Sequence, residues 1–246
     1  MEDDYLRSLV ENYRPNDATL KTISQLKLVA TVAPSSSGKT SIMQAAAKAS
    51  VDIHMVLGET TRAPRLTEKP GIDYLFRSYE EVLAELKRGD LVDVIIGPSG
   101  GLYCTRPANY LASATNVMAL VAAAIPTFRS LPFKYFKAVF IVPAQFKLWQ
   151  SWLNRQAEVG GWTKQDWRGR LAEARQSYEI ALADSQMLFI LNDVVDKATD
   201  RLLQVVQGEP PADHAEAKNQ ASFNYQRLLQ LTDLYPPKIS SENLGG

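Results

Sequence analysis

The chain has 246 residues, with 27 basic against 27 acidic side chains and 22% charged residues overall. That balance is ordinary for a soluble protein and argues against a general nucleic-acid binder, which carries a basic excess. One cysteine, Cys104, and two histidines, His54 and His214, exclude an internal disulfide, a cysteine-cluster zinc site and a histidine-rich metal site. No apolar run reaches membrane-spanning length, and the acidic start MEDDYLRSLVENYR lacks the apolar stretch of a signal peptide. A cytoplasmic protein with one sizeable core is expected.

In chain order, residues 4–13 and 18–26 read as helices separated by the turn and N-cap Arg14-Pro15-Asn16-Asp17, an extension expected to pack on the core. Residues 28–32 are an apolar, β-branched strand, and an alanine-rich helix begins near Lys39. A short strand at 53–57 precedes a polar segment with Pro64, Pro70 and Gly71, which ends in a strand at 74–76. The helix at 79–88 turns Val82, Leu83 and Leu86 inward. Residues 91–96 are apolar again, and 97–101 form a turn. The whole of 58–106 reads as a small mixed α/β insertion outside the central sheet.

The core resumes with a helix at 107–113, a strand at 116–124, a short helix near 126–131 and a strand at 138–142. A helix at 146–155 leads through polar 156–161 to a long helix ending near Asp184. A last strand at 187–191 and its helix at 194–207 follow. Gly208-Glu209-Pro210-Pro211 breaks the chain before an amphipathic helix at 213–234 and a tail from Pro236 expected to be disordered. Buried strands alternating with helices predict a parallel, doubly wound α/β sheet. The expected domains are an N-terminal extension (1–26), a main domain (27–208, with core 27–57 and 107–208) and a C-terminal helix and tail (209–246).

Two stretches carry chemistry. In the first, strand, loop Ala33-Pro34-Ser35-Ser36-Ser37-Gly38, Lys39-Thr40 and helix follow in the order of a phosphate-binding loop. Backbone N–H groups and the helix N-terminus would cradle an anion, Lys39 would reach the outer phosphates, and Thr40 would bind Mg²⁺. Such loops usually begin with Gly, so Ala33 fits only if its φ is negative. In the second, Arg62 and Arg65 stand three apart in a proline-containing loop after Thr60-Thr61. They form a natural clamp for phosphate oxygens, to which Tyr74 could add a hydroxyl.

The spacing from Thr60 to Phe76, with Glu68, Gly71 and Tyr74 between, resembles the substrate-side signature of guanylate kinases, and the loop resembles that family's G-P-S-G-x-G-K-[ST]. Element order agrees over about 28–207. The resemblance implies a P-loop NTPase-like parallel sheet flanked by helices, a small GMP-binding insertion (58–106) and a short helical lid (about 150–170). It implies phosphoryl transfer from ATP to GMP with Mg²⁺, the ATP being held by Ser35, Ser36, Ser37, Gly38, Lys39, Thr40 and Asn192. Arg62, Arg65 and Tyr74 would hold the GMP phosphate, while Asp93, Tyr103 and Thr105 fall where the family reads guanine and phosphate. A carboxylate suits guanine because N1–H and the N2 amino group present adjacent donors. Arg155 and Arg170 match lid arginines that would act with Lys39 in catalysis by neutralising charge on the transferring phosphoryl group. Expected partners are the small nucleotides ATP and GMP, with no nucleic acid and no membrane, in a monomer or homodimer.

The departures are specific. Asp93 replaces the usual Glu, Cys104 a Gly, Ser36 a loop glycine, Gln156 a Gly, and Ser151 the first lid arginine. Gly58-Glu59 stand where a Ser or Thr is usual. The family's aspartate-rich strand reads Ala119-Leu120-Val121-Ala122-Ala123-Ala124-Ile125 here, without a carboxylate. A rival reading is therefore a catalytically weakened guanylate kinase-like module that binds nucleotide or protein, and a third is a kinase for another phosphorylated small molecule. Arg168 and Arg175 read as a solvated helix face, Trp149, Trp152, Trp162 and Trp167 as packing anchors, His54 as structural, and Cys104 as no nucleophile.

Overall fold

A computed structural model describes residues 2–64, 68–97 and 100–231. Helices α1 (Glu2–Glu11) and α2 (Asp17–Ile23) precede strand β1 (Lys27–Val32) and helix α3 (Lys39–Ala49). Strands β2 (Ile53–Met55), β3 (Glu59–Thr60) and β4 (Leu75–Phe76), helix α4 (Tyr79–Arg88), and strands β5 (Asp93–Ile96) and β6 (Leu102–Thr105) follow. A 3-10 turn at Pro107–Asn109 leads to β7 (Thr115–Ala119), α5 (Ile125–Ser130) and β8 (Tyr135–Pro143). Helices α6 (Phe146–Val159) and α7 (Lys164–Ala183), strand β9 (Leu188–Asn192) and helices α8 (Val195–Val206) and α9 (His214–Leu229) complete the described chain.

The larger sheet has the strand order β2-β7-β1-β8-β9. Pairs β2–β7 and β8–β9 are parallel, with His54 opposite Asn116 and Phe140 opposite Phe189. Strand β1 is buried at every position but Lys27, and β8 is buried from Ala138 on. Such continuous burial is what a parallel sheet flanked by helices produces. A smaller mixed sheet has the order β4-β3-β6-β5, antiparallel at β3–β6 and β5–β6 and parallel at β3–β4.

The strand expected at 116–124 ends at Ala119. Leu120 N still donates to Thr31 O at 2.9 Å, but Ala122–Ala124 form a 3-10 turn that runs into α5. Three alanines before Pro126, in the first turn of α5, favour a helix start over an extended strand. The helix expected at 107–113 is a single 3-10 turn, because Asn109 folds back to accept from Arg106 N at 2.7 Å.

The chain divides into two compact units, one from residues 1–30, 47–119 and 124–137, the other from 31–46, 120–123 and the chain from 138 onward. In the first, α1 packs on α4 and β5 of the small sheet, where the extension was expected to lie on the core. Leu6, Leu9, Val10 and Tyr13 pack against a cluster of Val82, Leu86, Leu91, Val94, Leu102 and Cys104. The Tyr13 hydroxyl donates to Leu91 O at 2.5 Å. Asn16 caps α2 by accepting from Thr19 N at 2.8 Å and donates to Arg88 O and Asp90 Oδ1 at the end of α4. Helices this short are marginal alone, so these anchors hold them.

In the second unit, α9 packs on α7 and β9. Asp213 Oδ2 accepts from Leu191 N at 3.0 Å and His214 Nδ1 from Phe189 N at 3.2 Å, so side chains cap the open edge of β9. Arg175, expected on a solvated face, instead donates to Leu231 O at 3.3 Å. The helix expected at 213–234 ends at Leu229 with Gln230 as its C-cap, and the expected tail lies outside the described residues.

Candidate active site

In the second unit, the loop from β1 to α3 has two residues in the left-handed region, Ser36 (φ 65°) and Gly38 (φ 77°). Ala33 is not one of them, so its methyl costs no backbone strain. The strain falls on Ser36, at the place of a family glycine. A Cβ on Gly38 would stand 2.6 Å from Asn192 Nδ2. That amide donates to Ser37 O at 2.8 Å, and Trp149 Nε1 donates to Ser35 O at 2.8 Å. Two loop carbonyls are thus engaged from distant parts of the chain. What remains at the start of α3 is a set of N–H groups and hydroxyls, including the buried Ser37 Oγ, which suits an anion.

Lys39 Nζ lies 3.5 Å from Leu120 O, the carbonyl of the segment that carries no carboxylate. Withdrawal of its ammonium from water lowers its pKa, Glu173 opposes that, and Arg170 adds to it. Arg170 Nη1 is 2.9 Å from Glu173 Oε2 and 3.4 Å from Ser35 Oγ, which itself donates to Glu173 at 3.3 Å. The Arg170 guanidinium lies 5.5 Å from the Trp162 ring. Arg170 is therefore already at the loop, held by a carboxylate one helical turn away. Arg155 is exposed on α6 and Arg168 on α7, whereas Trp149 and Trp167 are fully buried anchors. Thr40 is exposed in the first turn of α3 and carries a single hydroxyl oxygen. The described residues hold no cluster of three His, Cys, Asp or Glu that would cage a metal alone.

In the first unit, strand alternation sorts the small sheet into two faces. Register places Thr60 opposite Tyr103, Ile95 opposite Tyr103 and Asp93 opposite Thr105. These share one face, while Val94, Leu102 and Cys104 point into the apolar cluster under α1 and α4. On the polar face, Arg62 Nε donates to Tyr103 OH at 2.7 Å. Its Nη1 and Nη2 form a paired contact with Glu68 at 2.6 and 2.7 Å, and Nη1 also reaches Ala63 O at 2.9 Å. The guanidinium lies 5.2 Å from the Tyr74 ring and 5.7 Å from both Phe76 and Tyr103. Glu68 first, and Tyr103 after the opposing effect of burial, raise its pKa further. Asp93 is 9% exposed and accepts from the Thr105 hydroxyl. Burial pushes its carboxyl up to about 7 against the hydrogen bonds from Thr105. The structure brings Arg62, Tyr74 and Tyr103 into one group, and Asp93 and Thr105 into a second on the same face. Arg65 lies outside the described residues.

Beneath that face is a buried ion network that sequence reasoning missed. Glu59, 0% exposed, accepts from Arg77 Nη1 at 2.5 Å, Arg106 Nε at 2.7 Å and Asn109 Nδ2 at 2.8 Å. Arg77 also reaches Glu85 at 3.0 Å and Glu81 at 3.3 Å. The spacing of Glu81 and Glu85, one helical turn apart after Arg77, was the signal available in the sequence. His54 is structural, its Nε2 lying 2.9 Å from Asn109 O.

The two sheets and the loop entering α3 define an α/β fold of the P-loop NTPase-like class. Comparison with known proteins points to one family within it. No protein-family model matches the chain. It is 29% identical to a guanylate kinase of Hahella chejuensis over 72% of this chain and 84% of the relative. It is 28% identical to a guanylate kinase of Rubrobacter xylanophilus over 74% and 93%. A shorter match, 41% identical over 66 residues, spans 27% of this chain and 35% of a guanylate kinase of Salinibacter ruber. The crystal structure of guanylate kinase from Anaplasma phagocytophilum superposes with a TM-score of 0.55 at 19% identity, over 74% of this chain and 85% of that one. In sequence the chain is similar to guanylate kinases at 24–29% identity over most of its length, and its fold matches a guanylate kinase structure.

Proposed function

We propose that the protein is a guanylate kinase-like phosphotransferase that converts ATP and GMP to ADP and GDP with Mg²⁺. The observation that carries this reading is the polar face of the small sheet, where Arg62, Tyr74 and Tyr103 form one group and Asp93 with Thr105 another. A charged, planar donor beside two phenols suits a phosphate monoester, and Arg65 would complete the clamp. The Asp93 carboxylate suits the paired N–H donors of guanine. On the donor side, Ser35, Ser36, Ser37 and Gly38 would wrap the ATP phosphates, with Asn192 bracing the loop and Lys39 reaching outward.

An oxygen of the acceptor phosphate attacks the terminal phosphorus of ATP, and the bond to the bridging oxygen of ADP breaks. That oxygen is already anionic, so no general base is needed and in-line positioning does most of the work. Lys39, Arg155 and Arg170 neutralise charge that spreads over the transferring group. Thr40 would hold Mg²⁺, which supplies charge neutralisation on the phosphates. Cytoplasmic pools of ATP and GMP go with this reading, and no described helix is long and apolar enough to cross a membrane.

A coupled assay of ADP release with ATP, Mg²⁺ and GMP tests it, run beside Lys39→Ala and Arg62→Ala. GMP-dependent turnover abolished by both substitutions is the expected result. The second reading, a nucleotide-binding module with little catalysis, is favoured by the carboxylate-free segment 119–125 against which Lys39 rests. Absent turnover with GMP binding still detected by calorimetry would establish it, and competition among GMP, AMP, UMP and dGMP would reveal a different acceptor.

A further inference from the structure

Three buried groups stand in a row at the polar face of the small sheet. The Tyr110 hydroxyl lies 2.9 Å from Thr105 Oγ1, which donates to Asp93 Oδ1. On its other side the same hydroxyl is 3.4 Å from Met118 Sδ. Tyr110 is 8% exposed and Thr105 0%. Nothing in the sequence marks Tyr110 out, and a phenylalanine would fill nearly the same space.

Each hydroxyl owns one proton, so the direction of the row is set at its ends. With Asp93 ionised, Thr105 gives its proton to the carboxylate, and its oxygen can accept only from Tyr110. With Asp93 protonated, the carboxyl can donate to Thr105 and Thr105 to Tyr110, which turns to the thioether of Met118. Sulfur is a weak acceptor, and hydrogen bonds to a charged oxygen are about twice as strong as neutral ones. The Tyr110 hydroxyl therefore favours the ionised arrangement. In a buried row this polarisation is passed on rather than screened by water.

We propose that Tyr110 is a positioning residue for base selection: acting through Thr105, its hydroxyl keeps Asp93 charged and oriented to accept the two N–H donors of guanine. The inference rests on the GMP reading above. It gives that site a pH response of its own. The titratable groups coupled to Asp93 are Tyr13 from α1, Cys104 on the neighbouring strand β6 and Tyr110 itself. Burial raises all three, so they stay neutral where Asp93 titrates. Asp90 acts on Tyr13, and Glu59, Glu85 and Arg77 act on Cys104, whose side chain lies on the face of the sheet away from Asp93. Of these, Asp90 is paired with Arg88, and Glu59 and Glu85 with Arg77 and Arg106.

The test is an infrared pH titration of the Asp93 carboxyl band, assigned by subtraction of Asp93→Asn, in the wild type, Tyr110→Phe, Thr105→Val and the double variant. Calorimetry with GMP is run over the same pH range, and thermal melts check that each variant folds. Tyr110→Phe is expected to raise the titration midpoint by about half a pH unit, roughly a threefold change in ionisation constant. The midpoint of GMP affinity is expected to move with it. Thr105→Val is expected to shift the midpoint further, and adding Tyr110→Phe to it to change nothing more, since the row is already cut. A titration midpoint unmoved in Tyr110→Phe overturns the proposal whatever the protein binds, as does a shift that GMP affinity does not follow. Wild-type protein that binds no GMP at any pH overturns the functional reading instead, because the infrared titration needs no nucleotide.

Discussion

The polar face of the small sheet and the loop between β1 and α3 are assembled in different ways. On the sheet, Thr60, Asp93, Tyr103 and Thr105 sit at paired positions of β3, β5 and β6, so regular alternation presents them together. The side chains then bind one another, Arg62 to Tyr103 and Thr105 to Asp93. In the loop, position comes from two left-handed residues and from side chains remote in sequence, Trp149, Arg170, Glu173 and Asn192. A site on strands inherits the rigidity of the sheet, whereas a loop needs external ties to hold one shape.

That difference can be broken first at the sheet's underside. Glu59→Ala would leave Arg77 and Arg106 facing an empty buried pocket, and removal of one partner from a buried ion network costs about 3–5 kcal/mol. Urea unfolding should show a loss of that order, and a loss under about 1 kcal/mol would mean that Glu59 does not hold the sheet.

Next in size is a pH response. Burial holds the Asp93 pKa at about 7 in the folded state against an ordinary 3.8, so the folded state binds the extra proton between those values. Its contribution is therefore favourable below about pH 4 and is lost as pH rises through about 7, a swing of up to about 4 kcal/mol. Asp93→Asn should flatten this part of the stability profile in denaturant titrations at pH 4.5 and 8. An unchanged slope would assign the response to other groups.

Smaller effects belong to the loop. Gly38→Ala puts a side chain at φ 77° and 2.6 Å from Asn192 Nδ2, which should cost about 1–2 kcal/mol. It should weaken ATP binding in calorimetry while GMP affinity stays within about twofold (about 0.4 kcal/mol). Equal losses for both nucleotides would erase the contrast between the two regions. Smallest is Ser36→Gly, which relieves the left-handed strain but loosens the unfolded chain, for a net gain of about 0.5–1 kcal/mol. A lowered melting temperature would mean that the Ser36 side chain contributes more than its backbone costs.

Legibility in the sequence followed the range of the interactions. The loop was visible because strand, Gly-Lys-Thr and helix are contiguous, and the Thr60–Phe76 stretch because its residues are close in the chain. The end of β7 was misread because an apolar run suits strand and helix alike, and three alanines with Pro126 decided for the turn and α5. The packing of α1 on α4 and β5 depended on which apolar surface it would cover, and hydrophobic pattern does not name the partner. Arg170 illustrates both sides. The resemblance marked it as a lid arginine, but its tie to Ser35 joins residues 135 apart.

By itself, the sequence determined the α/β class, the order of strands and helices, and the residue types offered to a phosphorylated ligand, since these depend on period, local propensity and short spacings. The tertiary structure decided which face of the small sheet carries Asp93, Tyr103 and Thr105, and that Ser36 rather than Ala33 bears the strain. It also decided that Tyr110 ends a buried row leading to Asp93. Those outcomes turn on register, on φ at single residues and on desolvation, and all three are set only once distant segments pack together.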